Sequence, residues 1–557
     1  MKHLFLLSVV LAFASGDFAG EQCEVTAPIG QIRGSILTSR LGKKIYSFRG
    51  VRYAEPPTGQ QRFQVAIPAA DWNDVFDATK EGPACPAING ENITEDCLRI
   101  NLLIEQLSRS QLPSANDPVK RPVLVFFHPG AFYVFSGQSF YFGPEYLLDK
   151  DIVLVTVNNR LATLGFISTG DSKAPGNLGL KDQVVALRWV QRNIAAFGGD
   201  PDSVTISGYS IGGFSVMLHM VSPMSKGLFH RAIMMSGSMT SEPYPTEQLH
   251  LAKKQAELLN CPSDTTDAML VCLSSKPVEN FTDTIPKFFE WYNNPTLLWS
   301  PVVEPEVHGV ERFLPEQPVD LIRKGKFHKV PLIAGVTKDE FGGVVVAVKQ
   351  QHRLGNNSIL DDLNNDWYKI APIAFIYERD TPRSRYISTE LRQFYFGNQS
   401  IGPDTYDGLA HIKADSLITF PLHRTVKLFA ENTDQPIYFY VSSYQGRYSF
   451  VMWNKTTPYG VVHHDDLQYL FFMRKIFPFF ENDAPEIPIV ELMTSMWSNF
   501  AETGQPVPPT LANNVTWEPY LLETDNYLEI SEISRMKTRL YPERMQKWES
   551  LFPLNSK

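Results

Sequence analysis

Short, continuously apolar runs alternate with longer amphipathic ones along most of the chain. Val123–Phe127, Ile152–Val157, Val204–Ile206, Val330–Val336 and Ile437–Val441 are rich in β-branched and aromatic residues. Such runs predict strands buried on both faces, as in a parallel sheet covered by helices. Leu180, Val184, Leu187, Val190, Ile194 and Phe197 instead recur at three- or four-residue steps. That spacing predicts a helix over Leu180–Phe197, stopped by Gly198-Gly199. Ile489, Leu492, Met493, Met496, Trp497 and Phe500 repeat the pattern ahead of Gly504. Strands and helices in alternation predict an α/β fold with a large, mostly parallel sheet. The stretch Phe341–Asn432 is mixed, helix-like and Asn-rich, and reads as an insertion capping the functional edge of the sheet.

At 557 residues the chain has room for several domains or for one large α/β domain with insertions. No repeat or low-complexity linker divides it, only a polar stretch near Ser108–Asp117. With 43% hydrophobic and 20% charged residues it is globular rather than disordered. The net charge of −9 and the lack of any polybasic stretch argue against a nucleic-acid partner. Met1-Lys2-His3, the apolar run Leu4–Ala14 and the small residues Ala14-Ser15-Gly16 have the build of a secretory leader over residues 1–16. That run is too short to span a bilayer, which takes about 20 residues, and no other run reaches membrane length. Sequons at Asn92, Asn280, Asn356, Asn398, Asn454 and Asn514 fit an exported glycoprotein. The five cysteines contain no C-x-x-C pair, and the local pairs 85/97 and 261/272 suggest two short disulfide loops, leaving Cys23 over.

Gly208-Tyr209-Ser210-Ile211-Gly212 is a G-x-S-x-G motif between a predicted strand and a predicted helix. An elbow there needs small residues on either side of the serine and lifts its hydroxyl clear of the sheet edge. A serine at its ordinary pKa needs a base, and the attacked carbonyl needs donors for the charge on its oxygen. After the strand Val123–Phe127, His128-Pro129-Gly130-Ala131-Phe132 resembles the H-G-G-G/A-F loop of esterases. By that likeness the N–H groups of Gly130, Ala131 and Ile211 would bind the oxyanion; Pro129 has no N–H but is not one of the expected donors. An acid is expected next in the chain and a histidine after it. Asp339-Glu340 follows the strand Val330–Val336, and His463-His464 lies in a loop before the helix-like Leu467–Phe472. Pattern alone leaves both pairs open. A metal held by His463-His464-Asp465-Asp466 is disfavoured, because adjacent side chains rarely converge on one ion, and no H-E-x-x-H is present.

The remaining marks are more specific: Phe48–Pro57, Thr94–Leu98, Asn177–Gln183, Phe197–Pro201, Ser222-Pro223 and Gly227–Ile233. With these the chain resembles the type-B carboxylesterase and cholinesterase family of α/β-hydrolases over nearly its whole length, and within it the secreted insect esterases. The resemblance implies a single hydrolase domain over residues 17–557, with helical insertions as a cap. Carried over by position, it implies catalytic Ser210, Glu340 and His463, and disulfides Cys85–Cys97 and Cys261–Cys272. Cys23 is then expected as a free or intermolecular thiol.

The implied activity is that of a secreted serine carboxylesterase acting on small-molecule esters without metal or organic cofactor. The alternative is a catalytically weak or inactive adhesion protein of the same fold. Some positions depart from the family pattern. Tyr209 stands where cholinesterases have an acid, and Ile211 where Ala is usual, a β-branched side chain expected to narrow the pocket or shift the elbow. Phe341 follows Glu340 where Gly is common. The Cys85–Cys97 loop is short and has no tryptophan, so little preference for choline esters is expected.

Overall fold

The computed structural model describes residues 22–554 apart from residues 89, 91, 106–119, 242, 454–455 and 512–514. The leader, the Ser108–Asp117 stretch and the sequons at Asn454 and Asn514 therefore lie outside the described residues.

One twisted sheet organises the chain. Its first part holds β1 (Gln22–Ala27), β2 (Gly30–Thr38), β3 (Lys44–Arg52), the two-residue β4 (Phe76–Asp77) and β5 (Arg99–Glu105). Then come β6 (Arg121–Phe127), β7 (Val153–Val157), β8 (Gly199–Tyr209), β9 (Arg231–Met235) and β10 (Leu332–Thr337). β11 (Ile437–Ser442), β12 (Asn526–Ile530) and β13 (Arg535–Thr538) complete it. The spatial order is β1-β2-β3-β5-β7-β6-β8-β9-β10-β11-β12-β13, with β4 beside β2. Along this order pairing is parallel from β7 through β12 and antiparallel at both flanks, while the short β4 runs parallel to β2.

All five strands expected from apolar runs are present. Their lack of a polar face has a direct cause, since both faces are covered. Val123, Val125 and Phe127 of β6 enter one core with the helix Ile211–Val221, while Leu124 and Phe126 enter the other with the helix Ile487–Thr503. The helix expected from Leu180 runs over Leu178–Asn193 and a 3-10 turn to Phe197; Gly198 then ends it at φ 76°, a left-handed conformation that glycine adopts without strain. The expected helix over Leu467–Phe472 shrinks to a single 3-10 turn, Leu467–Tyr469. Apolar spacing was met there by a buried loop, in which Asp465 accepts the Val462 N–H and its carbonyl accepts from the Gln468 side chain.

β6 has β7 on one side and β8 on the other, so successive connections leave in opposite directions. A crevice opens at such a switch point, beyond the carboxyl ends of the strands. Between β10 and β11 the insertion is helical, as expected: Gly343–Arg353, Ser358–Asn365, Trp367–Phe375, Pro382–Phe396, Tyr406–Ala414 and Phe420–Ala430. It has its own apolar core, which includes Val345, Trp367, Phe375 and Leu391 and is joined by Met545, Trp548 and Leu551 of the last helix, Pro542–Leu551.

Cys85–Cys97 and Cys261–Cys272 are disulfide-bonded, with Cα separations of 4.9 and 5.6 Å. Cys23 lies outside both bonds and is buried in β1. Burial does not suit the intermolecular link that was one expectation for it. Asn92, Asn356 and Asn398 are exposed, whereas Asn280 is half-buried on the short helix Glu279–Thr284.

Candidate active site

β8 ends at Tyr209, and Ser210 turns the chain into the helix Ile211–Val221 at φ 54°, ψ −119°. The three glycines around it are required by close backbone contact. A Cβ on Gly208 would lie 2.2 Å from the Gly212 carbonyl, and one on Gly212 would lie 2.0 Å from the Phe127 oxygen. On the far side, a Cβ on Gly237 would meet the Ser210 carbonyl at 1.7 Å. The elbow is therefore wedged between the ends of β6 and β9, and it opens on the cavity that Ser210 lines together with Ala131, Ile211 and Phe341.

Contact between Gly212 and the end of β6 also brings the 128–132 loop alongside the start of the helix. Gly130, Ala131 and Phe132 all have positive φ, at 121°, 50° and 65°. Tyr133 and Val134 N–H groups close the turn on the Gly130 carbonyl, at 2.9 and 3.0 Å. Pro129 contributes its carbonyl, which accepts from His128 Nδ1 at 2.7 Å. Burial pushes that imidazole down to about 4, so it is neutral and donates there. Ile211 is the first residue of its helix, where an N–H has no intrahelical acceptor.

The structure brings Glu340 and His463 together. Glu340 Oε2 lies 2.5 Å from His463 Nδ1, and the Glu340 carbonyl accepts the His463 N–H at 2.7 Å. The other carboxyl oxygen, Oε1, accepts from Ser236 Oγ at 2.6 Å and from the Thr337 N–H at 2.8 Å. Burial pushes the Glu340 carboxyl up to about 7 and the His463 imidazole down to about 3. The resting imidazole is thus neutral, the state a proton acceptor needs. Phe341 stacks on His463 at 5.1 Å, and the Tyr209 ring lies 5.1 Å away on another side. Phe341 therefore acts as a wall shared by the imidazole and the cavity.

The neighbours of these two residues have a different part. Asp339 is only half-buried, and its Oδ2 accepts the Val461 N–H at 2.9 Å, latching the histidine loop to the end of β10. His464 has φ 80°, and its N–H donates to the Tyr209 hydroxyl at 2.8 Å. Asp465 accepts from Ser449 Oγ and from the Phe450 and Val462 N–H groups, at 2.6, 2.8 and 2.9 Å. Asp466 accepts from Tyr440 at 3.1 Å, with the Tyr209 hydroxyl facing it. Burial, and then the Glu340 charge, push the Asp466 carboxyl up to about 7. No metal-binding group of three or more His, Cys, Asp or Glu exists among the described residues.

Sequence reasoning missed Ser236, which holds Glu340 from the end of β9. The signal was the apolar run Ala232–Met235 running into Ser236-Gly237-Ser238, a strand followed by a tight turn. Tyr440, Asp465 and Asp466 as supports of the histidine loop were also missed, and no spacing marks them.

Fold and site together define an α/β-hydrolase. A sequence profile of the carboxylesterase family matches residues 21–548, and the chain belongs to that family. Esterase FE4 of Myzus persicae is 35% identical over 91% of this chain and 89% of its own. Venom carboxylesterase-6 of Apis mellifera is 31% identical over 96% of this chain and 95% of its own. The crystal structure of juvenile hormone esterase from Manduca sexta, with OTFP covalently attached, superposes with a TM-score of 0.81 at 28% identity, covering 96% of this chain and 100% of that one. The chain is accordingly a serine carboxylic-ester hydrolase. Among the described residues no helix is long and apolar enough to cross a membrane.

Proposed function

We propose that this chain is a secreted carboxylesterase in which Ser210, His463 and Glu340 carry out two-step acyl transfer on neutral, largely apolar esters. The observation that carries the reading is the Glu340–His463 contact beside the cavity that the strained Ser210 lines. His463, through its free ring nitrogen, takes the Ser210 proton as Oγ bonds to the ester carbonyl carbon, and the charge on the carbonyl oxygen falls to the Gly130, Ala131 and Ile211 N–H groups. Glu340 keeps Nδ1 protonated and stabilises the imidazolium. The C–O bond to the alcohol then breaks, with the proton passing from His463 to the leaving oxygen. Water repeats the sequence on the acyl-enzyme and restores Ser210.

No charged side chain lines the cavity among the described residues, which favours a neutral ester over a cationic or anionic one. Export is supported by the leader pattern at residues 1–16, by two disulfides of the kind that persist in oxidising compartments, and by three exposed sequons. On this reading, residues 17–557 form one hydrolase domain. An organophosphate is expected to label Ser210, and Ser210→Ala to lower nitrophenyl acetate turnover at least about 10⁴-fold. Labelling elsewhere, or a Ser210→Ala variant with wild-type turnover, overturns the assignment.

A further inference from the structure

Lys413, at the end of the helix Tyr406–Ala414, is buried. Its Nζ donates to Asn294 Oδ1 at 2.7 Å, to Thr296 Oγ1 at 3.0 Å and to the Ala374 carbonyl at 2.6 Å. Three donors thus meet three neutral acceptors. Burial pushes the ammonium down to about 7, with no opposing charge to hold it up. A buried cation without a counter-charge is costly, and an apolar side chain would fill the same space more cheaply. Its partners account for its presence.

These bonds lead to two walls of the cavity, Asn294 and Thr296 sharing one segment and Ala374 lying on another. Thr296 is itself a lining residue. Ala374 lies just ahead of Ile376, which lines the cavity from a left-handed turn at φ 53°. On the main chain, the Lys413 carbonyl accepts Ser416 Oγ at 3.0 Å, and Ser416, Leu417 and Ile418 form a third wall. That wall belongs to a π-turn, Asp415–Thr419, set between two α-helices; insertions of this kind recur at functional sites. From the other side, Arg544 grips the Asp415 carboxylate at 2.5 and 2.7 Å, and the Tyr395 hydroxyl bonds to it at 2.5 Å.

We infer that Lys413 is a positioning residue for substrate choice, gathering the segments that carry Thr296, Ile376 and Ser416–Ile418 and so limiting the length of apolar chain the cavity admits. The inference rests on the reading of that cavity as the substrate site. Ser210, Glu340 and His463 sit on other segments, so the effect is on discrimination rather than on the chemical step.

Lys413→Met keeps the stem and removes the donors, while Lys413→Gln restores two N–H donors without charge. Turnover of nitrophenyl acetate, butyrate and octanoate is measured per serine labelled by organophosphate. In Lys413→Met the octanoate-to-acetate ratio of kcat/KM is expected to rise about tenfold, carried by KM more than kcat; in Lys413→Gln it rises less. If the Met variant does not fold, the Gln variant decides. A ratio that stays at the wild-type value or falls, with only the labelled fraction and melting temperature reduced, marks a merely structural role and overturns the inference. If wild-type enzyme neither takes label at Ser210 nor turns over any ester, the cavity reading fails and the inference with it. If wild type is active and both variants keep its ratio, the inference alone fails.

Discussion

The serine elbow and the histidine loop each carry one residue of the proposed triad, and they are held by opposite means. At the elbow, backbone presses on backbone: Gly208, Gly212 and Gly237 each sit where a Cβ would lie 2.2 Å or less from a main-chain carbonyl. At the loop, side chains do the holding. Asp339 latches Val461, Asp465 gathers three donors, and the Tyr209 hydroxyl takes the His464 N–H. Crowding of the first kind admits only glycine, so it leaves a fixed signature in the sequence. Hydrogen bonds of the second kind can be met by several residue types, so they leave none.

The elbow is the harder to disturb without total loss. Gly212→Ala places a methyl 2.0 Å from the Phe127 oxygen, which cannot move without displacing β6. Esterase activity per milligram is expected to fall at least about 10³-fold, and organophosphate labelling with it. The loop gives way in steps. Asp465→Asn turns one accepting oxygen into a donor: at the Oδ1 position its N–H faces the Phe450 N–H, and at the Oδ2 position, where the Ser449 hydroxyl can accept, the Val462 N–H loses its acceptor. A cost of about 1–3 kcal/mol follows, read as a lower melting temperature and a kcat reduced about tenfold with KM little changed. Tyr209→Phe removes one hydroxyl and leaves the ring in place. The His464 N–H loses its acceptor, and kcat is expected to drop about fivefold.

Asp466→Asn is the mildest change, and its effect has a definite sign. In the folded chain the carboxyl keeps its proton to about pH 7, whereas in the unfolded chain it releases it near 3.8. A penalty on the fold therefore grows from about pH 4 to about pH 7 and is full above that. Melting temperature should rise in Asp466→Asn at pH 8 and stay near wild type at pH 4. Removing the like charge beside Glu340 should also move the acid limb of the kcat/KM profile to lower pH. An unchanged profile would separate Asp466 from the Glu340–His463 pair.

The same contrast explains what could be read from the sequence. The five strands without a polar face were legible because burial on both sides demands continuous apolar runs, and Ser210 was legible because its neighbours must be glycine. β9 was not read: Arg231–Met235 is only five residues and is framed by turns that match many loops. Periodicity could not separate Glu340 from Asp339 or His463 from His464, because each pair sits on one loop with the same side-chain type or nearly so. Glu340 is held inward by Ser236, which lies at the end of β9 far off in the sequence, as well as by the nearby Thr337 N–H. Resemblance to the family made those choices; Glu340 and His463 lie in contact. Lys413 carries no mark in the sequence, since one lysine in an amphipathic helix reads as solvent-facing.

The last helix sets a timetable for the molecule. Ser210, Glu340 and His463 all leave the ribosome well before Arg544 and Trp548, yet Arg544 pins the π-turn that walls the cavity and Trp548 fills the cap core. On the proposed function, the residues assigned to the chemistry are thus made before those that brace the cavity wall.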